Sequence, residues 1–372
     1  MKYYLIAGEA SGDLHGSNLM HEIKAQDPEA EFRFFGGDLM AAQGGTLVKH
    51  YSQMAFMGWI KVMMNLRVIS RNMRLCCSDI INFKPDAVIL IDFAGFNLRI
   101  AKFAKSKGLK TIFYISPKIW AWKQNRVYKI KKYIDKMLTI LPFETEFYKQ
   151  FDYEVEYVGN PLNDAIANFR NEPKADFRAN NALSDAPIVA LLAGSRKQEI
   201  SMMLPPMIEA TKNLTNYQIV VAGAPGIEPN FYNQYVPTGT KIVFGQTYQL
   251  LQNAHAALVT SGTATLETAL FGVPQLVCYS TLLPNFLYRL GRKLIHVKWI
   301  SLVNLIIGYE AVPELVQVNF TQKDIANGLQ KILNDTPERK KMIADYAHLQ
   351  QIMGKPGASQ QAARAVIQFT HK

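Results

Sequence analysis

Two doubly wound α/β domains facing a central cleft are the architecture this sequence predicts, on three observations. Short uninterrupted apolar runs recur through both halves, separated by stretches long enough for a helix, which is the pattern of parallel strands covered on both faces. The pattern breaks once, over a polar stretch at 168–187, and then restarts. Most runs end in a turn carrying glycine or an acid and leading into a helix. In open α/β sheets, ligands bind beyond those carboxyl ends.

Taken in order, residues 3–7 form the first strand, followed by Gly8-Glu9-Ala10-Ser11-Gly12-Asp13 and a helix to about 26. A second strand at 32–35 runs into Gly36-Gly37. Residues 59–75 read as a helix. Strands follow at 87–91, ending in Asp92, at 111–115, ending in Ser116-Pro117, and at 137–140 and 155–158. Asn, Asp, Ala and two prolines over 169–187 predict a linker between a first domain at 1–168 and a second at 188–350. In the second, strands are expected at 188–192, 217–222, 241–244, 256–259 and 275–279. The Ala-rich end at 351–372 predicts a helix that packs back on the first domain or on a partner chain in a homodimer.

Bulk properties narrow the class. With 372 residues and 49% hydrophobic content, the chain can bury two cores and is not disordered. No apolar run is long enough to span a bilayer. No signal-peptide run precedes the first strand, and Cys76, Cys77 and Cys278 lack metal-ligand spacing. A reducing cytoplasm is the expected compartment. The net charge of +11 is uneven, with seventeen Lys/Arg against four Asp/Glu between Met57 and Lys136. A basic surface for an anionic partner follows.

The stretch Ser261-Gly262-Thr263-Ala264-Thr265-Leu266-Glu267 carries the strongest local signal. It reads as a small-residue turn between a buried strand and a helix at 265–271, stopped by Gly272 and Pro274. A helix N-terminus offers unpaired N–H groups and partial positive charge, and glycine lets a phosphate reach the backbone. An ordinary N-cap gives the same pattern.

At this point the motifs resemble a known family. Gly8-Glu9-Ala10-Ser11-Gly12-Asp13, Ile91-Asp92, Tyr114-Ile115-Ser116-Pro117-Lys118-Ile119-Trp120-Ala121-Trp122, Leu141-Pro142-Phe143-Glu144, Gly194-Ser195-Arg196 with Glu199-Ile200, the 261–267 stretch and Ser301-Leu302-Val303-Asn304-Leu305-Ile306 are similar to those of the lipid-A-disaccharide synthases. These are glycosyltransferases with two Rossmann-like domains, the GT-B type. The resemblance implies inverting transfer of 2,3-diacylglucosamine from its UDP conjugate to 2,3-diacylglucosamine 1-phosphate, giving a β-1,6 disaccharide and UDP. Two departures stand out. After Asp92 the family commonly reads Ala-Pro-Asp-Phe-Asn, whereas Phe93-Ala94-Gly95-Phe96-Asn97 leaves Asp92 the one acid of the segment. Where the family often has His, Asn160 is assigned no chemistry.

Inversion needs a general base for the acceptor hydroxyl and a stabilised leaving group. The resemblance implies Asp92 as the base. Glu9 is a rival that either binds acceptor or acts in its place, and a carboxylate capping the next turn is the structural alternative for Asp92. Ser11 and Asp13 join the substrate-binding candidates, although Asp13 also suits a cap on its own helix. Arg196, at a helix start where its charge is unfavourable, suits a fork on the diphosphate. Ser261, Gly262, Thr263 and Thr265 are expected around the phosphates, and Glu267 on the ribose hydroxyls or as a first-turn carboxylate. Gln246 is a candidate near uracil. Asn304 and Glu310 match a family motif near the donor. No Asp-x-Asp triplet occurs, so helix dipole and Arg196 are expected to hold the diphosphate with no metal and no other cofactor.

On the helix at 59–75, Trp59, Val62, Leu66, Ile69 and Met73 are expected to face the core. Ile60, Met64, Val68 and Leu75 beside Arg67 and Arg71 suit contact with an anionic membrane surface. A partner helix would use the same face. Residues 286–299 are a second membrane candidate. A peripheral enzyme at the inner membrane of a Gram-negative bacterium is the expectation. The alternatives are another transferase or epimerase acting on UDP-N-acetylglucosamine, and a nucleic-acid binder using the basic, aromatic segment 99–136. No nucleic-acid fold signature supports the latter, so no nucleic acid is expected as partner.

Overall fold

The computed structural model describes residues 1–54, 66–173, 175–260, 262–281 and 297–372. The chain divides into two compact units, Met1–Ala165 with Lys355–Lys372, and Ile166–Gly354.

The first unit holds seven parallel strands: β1 (Lys2–Ala7), β2 (Glu31–Gly36), β3 (Thr46–His50), β4 (Ala87–Ile91), β5 (Lys110–Tyr114), β6 (Lys136–Thr139) and β7 (Glu156–Tyr157). Their order is β3-β2-β1-β4-β5-β6-β7. Continuous apolar strands follow from this, because every residue of β4 is buried and helices cover both faces. Tyr3, Leu5, Ile89, Ile91, Ile112 and Tyr114 from the strands pack with Leu19 and Ile23 of the helix Ala10–Gln26.

The second unit holds β8 (Ile188–Leu192), β9 (Gln218–Gly223), β10 (Lys241–Phe244), β11 (Ala254–Thr260), β12 (Gln275–Tyr279) and β13 (Glu314–Val316). The order is β10-β9-β8-β11-β12-β13, again parallel throughout. Val220, Val243, Ala257 and Val259 pack with Leu250 and Leu251 of the helix Thr247–Asn253.

Two of the four edge strands, β3 and β13, escaped the sequence reading. Each is short and only partly buried, so neither shows an uninterrupted apolar run.

The last helix, Ala358–His371, belongs to the first unit's core through Ala362, Ala363, Ala365 and Val366. Alanines let it lie close to the helix Ala10–Gln26. The Asp164 carboxylate accepts from the amides of Gly357, Ala358 and Ser359 and caps its start. Its apolar face is thereby engaged within its own chain, which leaves the partner-chain alternative without support.

The polar stretch at 169–187 differs from the expected linker. It carries the end of the helix Pro161–Asn171 and the short helix Phe177–Asn180. Asp176 accepts from the amides of Arg178 and Ala179, and Phe177 is buried in the second core. Its Asn and Asp residues are surface and capping positions rather than spacer. The boundary falls between Ala165 and Ile166 instead.

The helix Leu66–Phe83 buries Asn72, Cys76 and Ile80. Leu66, expected inside, is 49% exposed. Ile69 and Met73 are half-buried on the same face as Cys76 and Ile80, so the anticipated stripe turns inward after Leu66; Trp59 and Val62 lie outside the described residues.

Candidate functional site

In each sheet, the chain order reverses at one place. It does so between β1 and β4 in the first and between β8 and β11 in the second. Loops leaving the carboxyl ends of such a strand pair diverge to opposite faces and open a crevice. The sequence motifs fall at these two places.

In the first unit, Ala7 pairs with Ile91 across β1 and β4. Gly8-Glu9 and Asp92-Phe93 therefore leave the sheet side by side. They touch: a Cβ on Gly8 would lie 2.2 Å from the Phe93 ring. Asp92 and Phe93 both take positive φ, 44° and 46°. Left-handed backbone in non-glycine residues costs on the order of 1–3 kcal/mol each, so something must hold it. Asn97 does so. Its fully buried amide Nδ2 donates to the carbonyls of Asp92 (2.7 Å), Ile91 (3.2 Å) and Ile6 (3.3 Å). Sequence reasoning gave Asn97 no role, since its three carbonyl partners follow from the turn's shape and not from spacing.

Burial raises the Asp92 carboxyl above the ordinary carboxylate range. The Lys118 charge and the Phe93 amide oppose the rise. A carboxylate shifted toward neutrality suits proton abstraction. Glu9 is the half-buried N-cap of the helix Ala10–Gln26, and its side chain does not cap that helix. Ser11 is exposed on the first turn.

Asp13 is 3% exposed and aims elsewhere. Its carboxylate accepts from the amides of Gly37 (2.7 Å), Leu39 (3.1 Å) and Met40 (3.1 Å). It caps the helix Asp38–Ala42 and not its own helix. The substrate-binding expectation for Asp13 thus meets a carboxylate engaged in building the loop after β2.

In the second unit, Leu192 pairs with Val259, so the loops after β8 and β11 emerge as neighbours. Each leads into a helix. Arg196 is the N-cap of Lys197–Thr211, and Gly262 that of Thr263–Leu270. Two positive helix ends therefore share one edge of the sheet. Gly194 (φ 110°) and Gly262 (φ 135°) adopt backbone that favours glycine. A Cβ on Gly194 would stand 2.7 Å from that of Glu199.

Glu199 organises this loop and was not singled out as a site residue. It accepts from the Ser195 amide (2.9 Å) and from the Arg196 guanidinium (3.2 Å). The signal for it is the acid three residues into the helix. The Arg196 side chain is 65% exposed, so this ion pair is weak in water.

Thr263 is exposed, whereas Thr265 is fully buried and its hydroxyl donates to the Gly262 carbonyl at 2.8 Å. That hydroxyl shapes the turn and does not face outward. Glu267 is half-buried and accepts from the Tyr248 hydroxyl at 3.1 Å. Burial raises its carboxyl, and the tyrosine hydrogen bond opposes this. Ser261 lies outside the described residues. Gln246 accepts from Asn181 at 2.9 Å and lines a cavity of about 520 Å³ with Phe169, Asp176, Phe177 and Asn180.

Asn304 departs from its expected role. It is fully buried, its Oδ1 accepts from the Ala311 and Val312 amides, and its Nδ2 donates to the Val312 carbonyl and Glu314. With every site on its amide engaged, it fixes the loop before β13 and has nothing to offer a ligand. Glu314 works beside it, accepting from the amides of Ile300 and Ser301 at the start of the helix Leu302–Ile307. Glu310 is exposed.

Of the membrane-facing expectation, Arg67, Arg71 and Leu75 are exposed and Val68 is half-buried; Ile60 and Met64 lie outside the described residues, as does most of 286–299. No described helix is long and apolar enough to cross a membrane. Among the described residues, no cluster of three or more His, Cys, Asp and Glu could hold a metal ion.

A family profile described as lipid-A-disaccharide synthetase matches residues 3–368. The lipid-A-disaccharide synthase of Syntrophus aciditrophicus is 37% identical over 99% of this chain and 97% of its own. Among solved structures, a UDP-GlcNAc 2-epimerase from Neisseria meningitidis bound to UDP-GlcNAc aligns with a TM-score of 0.68 at 12% identity, covering 99% of this chain and 100% of that one. CalG4, the calicheamicin glycosyltransferase, aligns at 0.59 and 15% identity, covering 100% and 98%. These two likenesses concern the fold alone.

Proposed function

The chain belongs to the lipid-A-disaccharide synthetase family, a glycosyltransferase of the GT-B build, and from that premise we infer its reaction and the roles of its residues. It transfers 2,3-diacylglucosamine from the UDP conjugate to 2,3-diacylglucosamine 1-phosphate with inversion, giving the β-1,6 disaccharide 1-phosphate and UDP.

Asp92 takes the proton from the acceptor's 6-hydroxyl as that oxygen attacks the anomeric carbon in line. Its burial and position support this reading, because burial raises the proton affinity of the carboxylate and the turn sets it at the switch point of the first sheet. Glu9, one strand away, holds acceptor hydroxyls. On the second unit, Arg196 leaves Glu199 for the diphosphate. The amides around Gly262 and Thr263 receive the negative charge that builds on the departing UDP. Glu267 holds the ribose, with Tyr248 fixing its orientation.

Both substrates carry acyl chains, so the enzyme must meet a bilayer. We propose that the face bearing Arg67, Arg71 and Leu75 docks on anionic lipid, at the cytoplasmic side of a Gram-negative inner membrane.

The observation that carries the reading of the site is the placement of Asp92 at the reversal between β1 and β4. Turnover of Asp92→Asn beside Glu9→Gln with the acylated donor tests it. Loss in the first and retention of substantial turnover in the second is expected. Near-normal turnover by Asp92→Asn would sink the assignment.

A further inference from the structure

The first unit buries a carboxyl, that of Glu144, which the proposed chemistry does not use. Glu144 opens the helix Glu144–Lys149 and is 1% exposed. Its Oε1 accepts from the Trp120 indole N–H at 3.2 Å, and its Oε2 from the Leu141 amide at 3.1 Å. Trp120 is itself buried and meets Phe143 edge to face, with ring centroids 5.0 Å apart. One carboxyl thus ties the loop after β5 to the turn after β6. On the same loop, Ser116 is hydrogen-bonded to Tyr148 at 2.7 Å.

The loop so held runs past Asp92. Ile91 pairs with Tyr114, and the Asp92 amide donates to the Tyr114 carbonyl at 3.1 Å. Residues 115–123 therefore leave the sheet next to the Asp92 turn. Ile115 starts them with a positive φ of 67°, a conformation that needs support from the far side. Lys118 lies on this loop with its side chain exposed, two residues before Trp120. It is the charged side chain that acts on Asp92, in the direction that favours ionisation.

We infer that Glu144 is a positioning residue for the transfer reaction: it seats Trp120 and thereby holds Lys118 beside Asp92. The inference rests on Asp92 being the base. Its physical content is that a loop loosened at Trp120 lets the lysine drift, and Asp92 then keeps its proton to higher pH. Around Glu144 itself, Ser116, Trp120 and the Ile140 and Leu141 amides favour ionisation against burial, while Tyr148 and Tyr157 face its charge.

The test is the pH dependence of kcat/KM for the full-length enzyme and for Lys118→Met, Lys118→Arg, Trp120→Phe and Glu144→Gln. It is paired with ¹³C-carboxyl titration of Asp92, assigned by Asp92→Asn. Lys118→Met is expected to move the acid limb and the Asp92 titration to higher pH by roughly half a unit or more. Lys118→Arg should restore both. Trp120→Phe deletes the indole N–H and keeps the ring, and should shift both the same way by less; a folded Glu144→Gln should match it.

If Trp120→Phe lowers turnover uniformly while both curves stay put, Glu144 merely supports the fold and the inference is overturned. An unmoved curve in Lys118→Met overturns it as well. Should Asp92→Asn keep its turnover, the base assignment fails by itself, since the carboxyl titration still reads whether Lys118 and Trp120 act on Asp92.

Discussion

The two sheet reversals are built alike and charged oppositely. At β1 and β4, the turn presents a carboxylate. It is half-buried, set on left-handed backbone and braced by Asn97. At β8 and β11, the same geometry presents two helix starts, two glycines of positive φ and a solvent-facing arginine. In the proposed reaction, one crevice accepts a proton and the other receives negative charge. The difference lies in four or five residues at the strand ends, not in the scaffold.

Four expected outcomes break or sharpen that contrast. The largest concerns the proton acceptor. Asp92→Asn should lower kcat by roughly 10²–10⁴-fold with the donor KM little changed; rapid-quench turnover measures it, and a shift in donor KM alone would erase the distinction between the reversals. Next, Arg196→Ala should reduce kcat/KM by about 10²–10³-fold, with Arg196→Lys recovering part. Steady-state kinetics in UDP-sugar decides this, and retention of activity would leave the second reversal without its cation.

The third outcome is a stability effect confined to the first unit. Burial pushes the Glu144 carboxyl from 4.5 up to about 7. The folded protein therefore holds this proton where the unfolded chain has released it. Stability from this group is fully present below about pH 4.5 and is lost as pH rises toward about 7. His15, pushed by burial from 6.5 to about 4, works in the opposite sense. The difference between Glu144→Gln and the parent isolates the carboxyl. It should move in the variant's favour by about 1–3 kcal/mol from pH 4.5 to 7, read from urea unfolding. A flat difference would mean that Glu144 ionises without penalty.

The smallest effect is expected at the membrane face. Arg71→Gln should weaken sedimentation with anionic liposomes by about 1 kcal/mol, or fivefold, and leave turnover on detergent-dispersed substrate intact. Unchanged binding would move the docking surface away from the helix Leu66–Phe83.

Strand ends were legible in the sequence because an apolar run and the glycine or acid that stops it are adjacent in the chain. Gly8, Asp92, Gly194 and Gly262 could be found that way. Side-chain direction could not. The amides that occupy Asp13 lie 24 to 27 residues away, and those that occupy Asn304 seven or eight. Both residues sit inside conspicuous motifs, yet each builds the loop rather than facing outward. Asn97 and Glu144 were missed for the converse reason: their partners are backbone carbonyls and a distant indole, which leave no periodic trace. The supposed linker misled because capping residues and spacer residues share a composition.

The helix Ala358–His371 closes the core that begins at Tyr3. A ribosome delivers that segment only after the whole of Ile166–Gly354 has been made. The core begun first is therefore completed later than the second unit's chain, and its hydrophobic face waits uncovered until this helix has emerged. A stop placed before Ala358 should accordingly damage the amino-terminal half, where Asp92 lies.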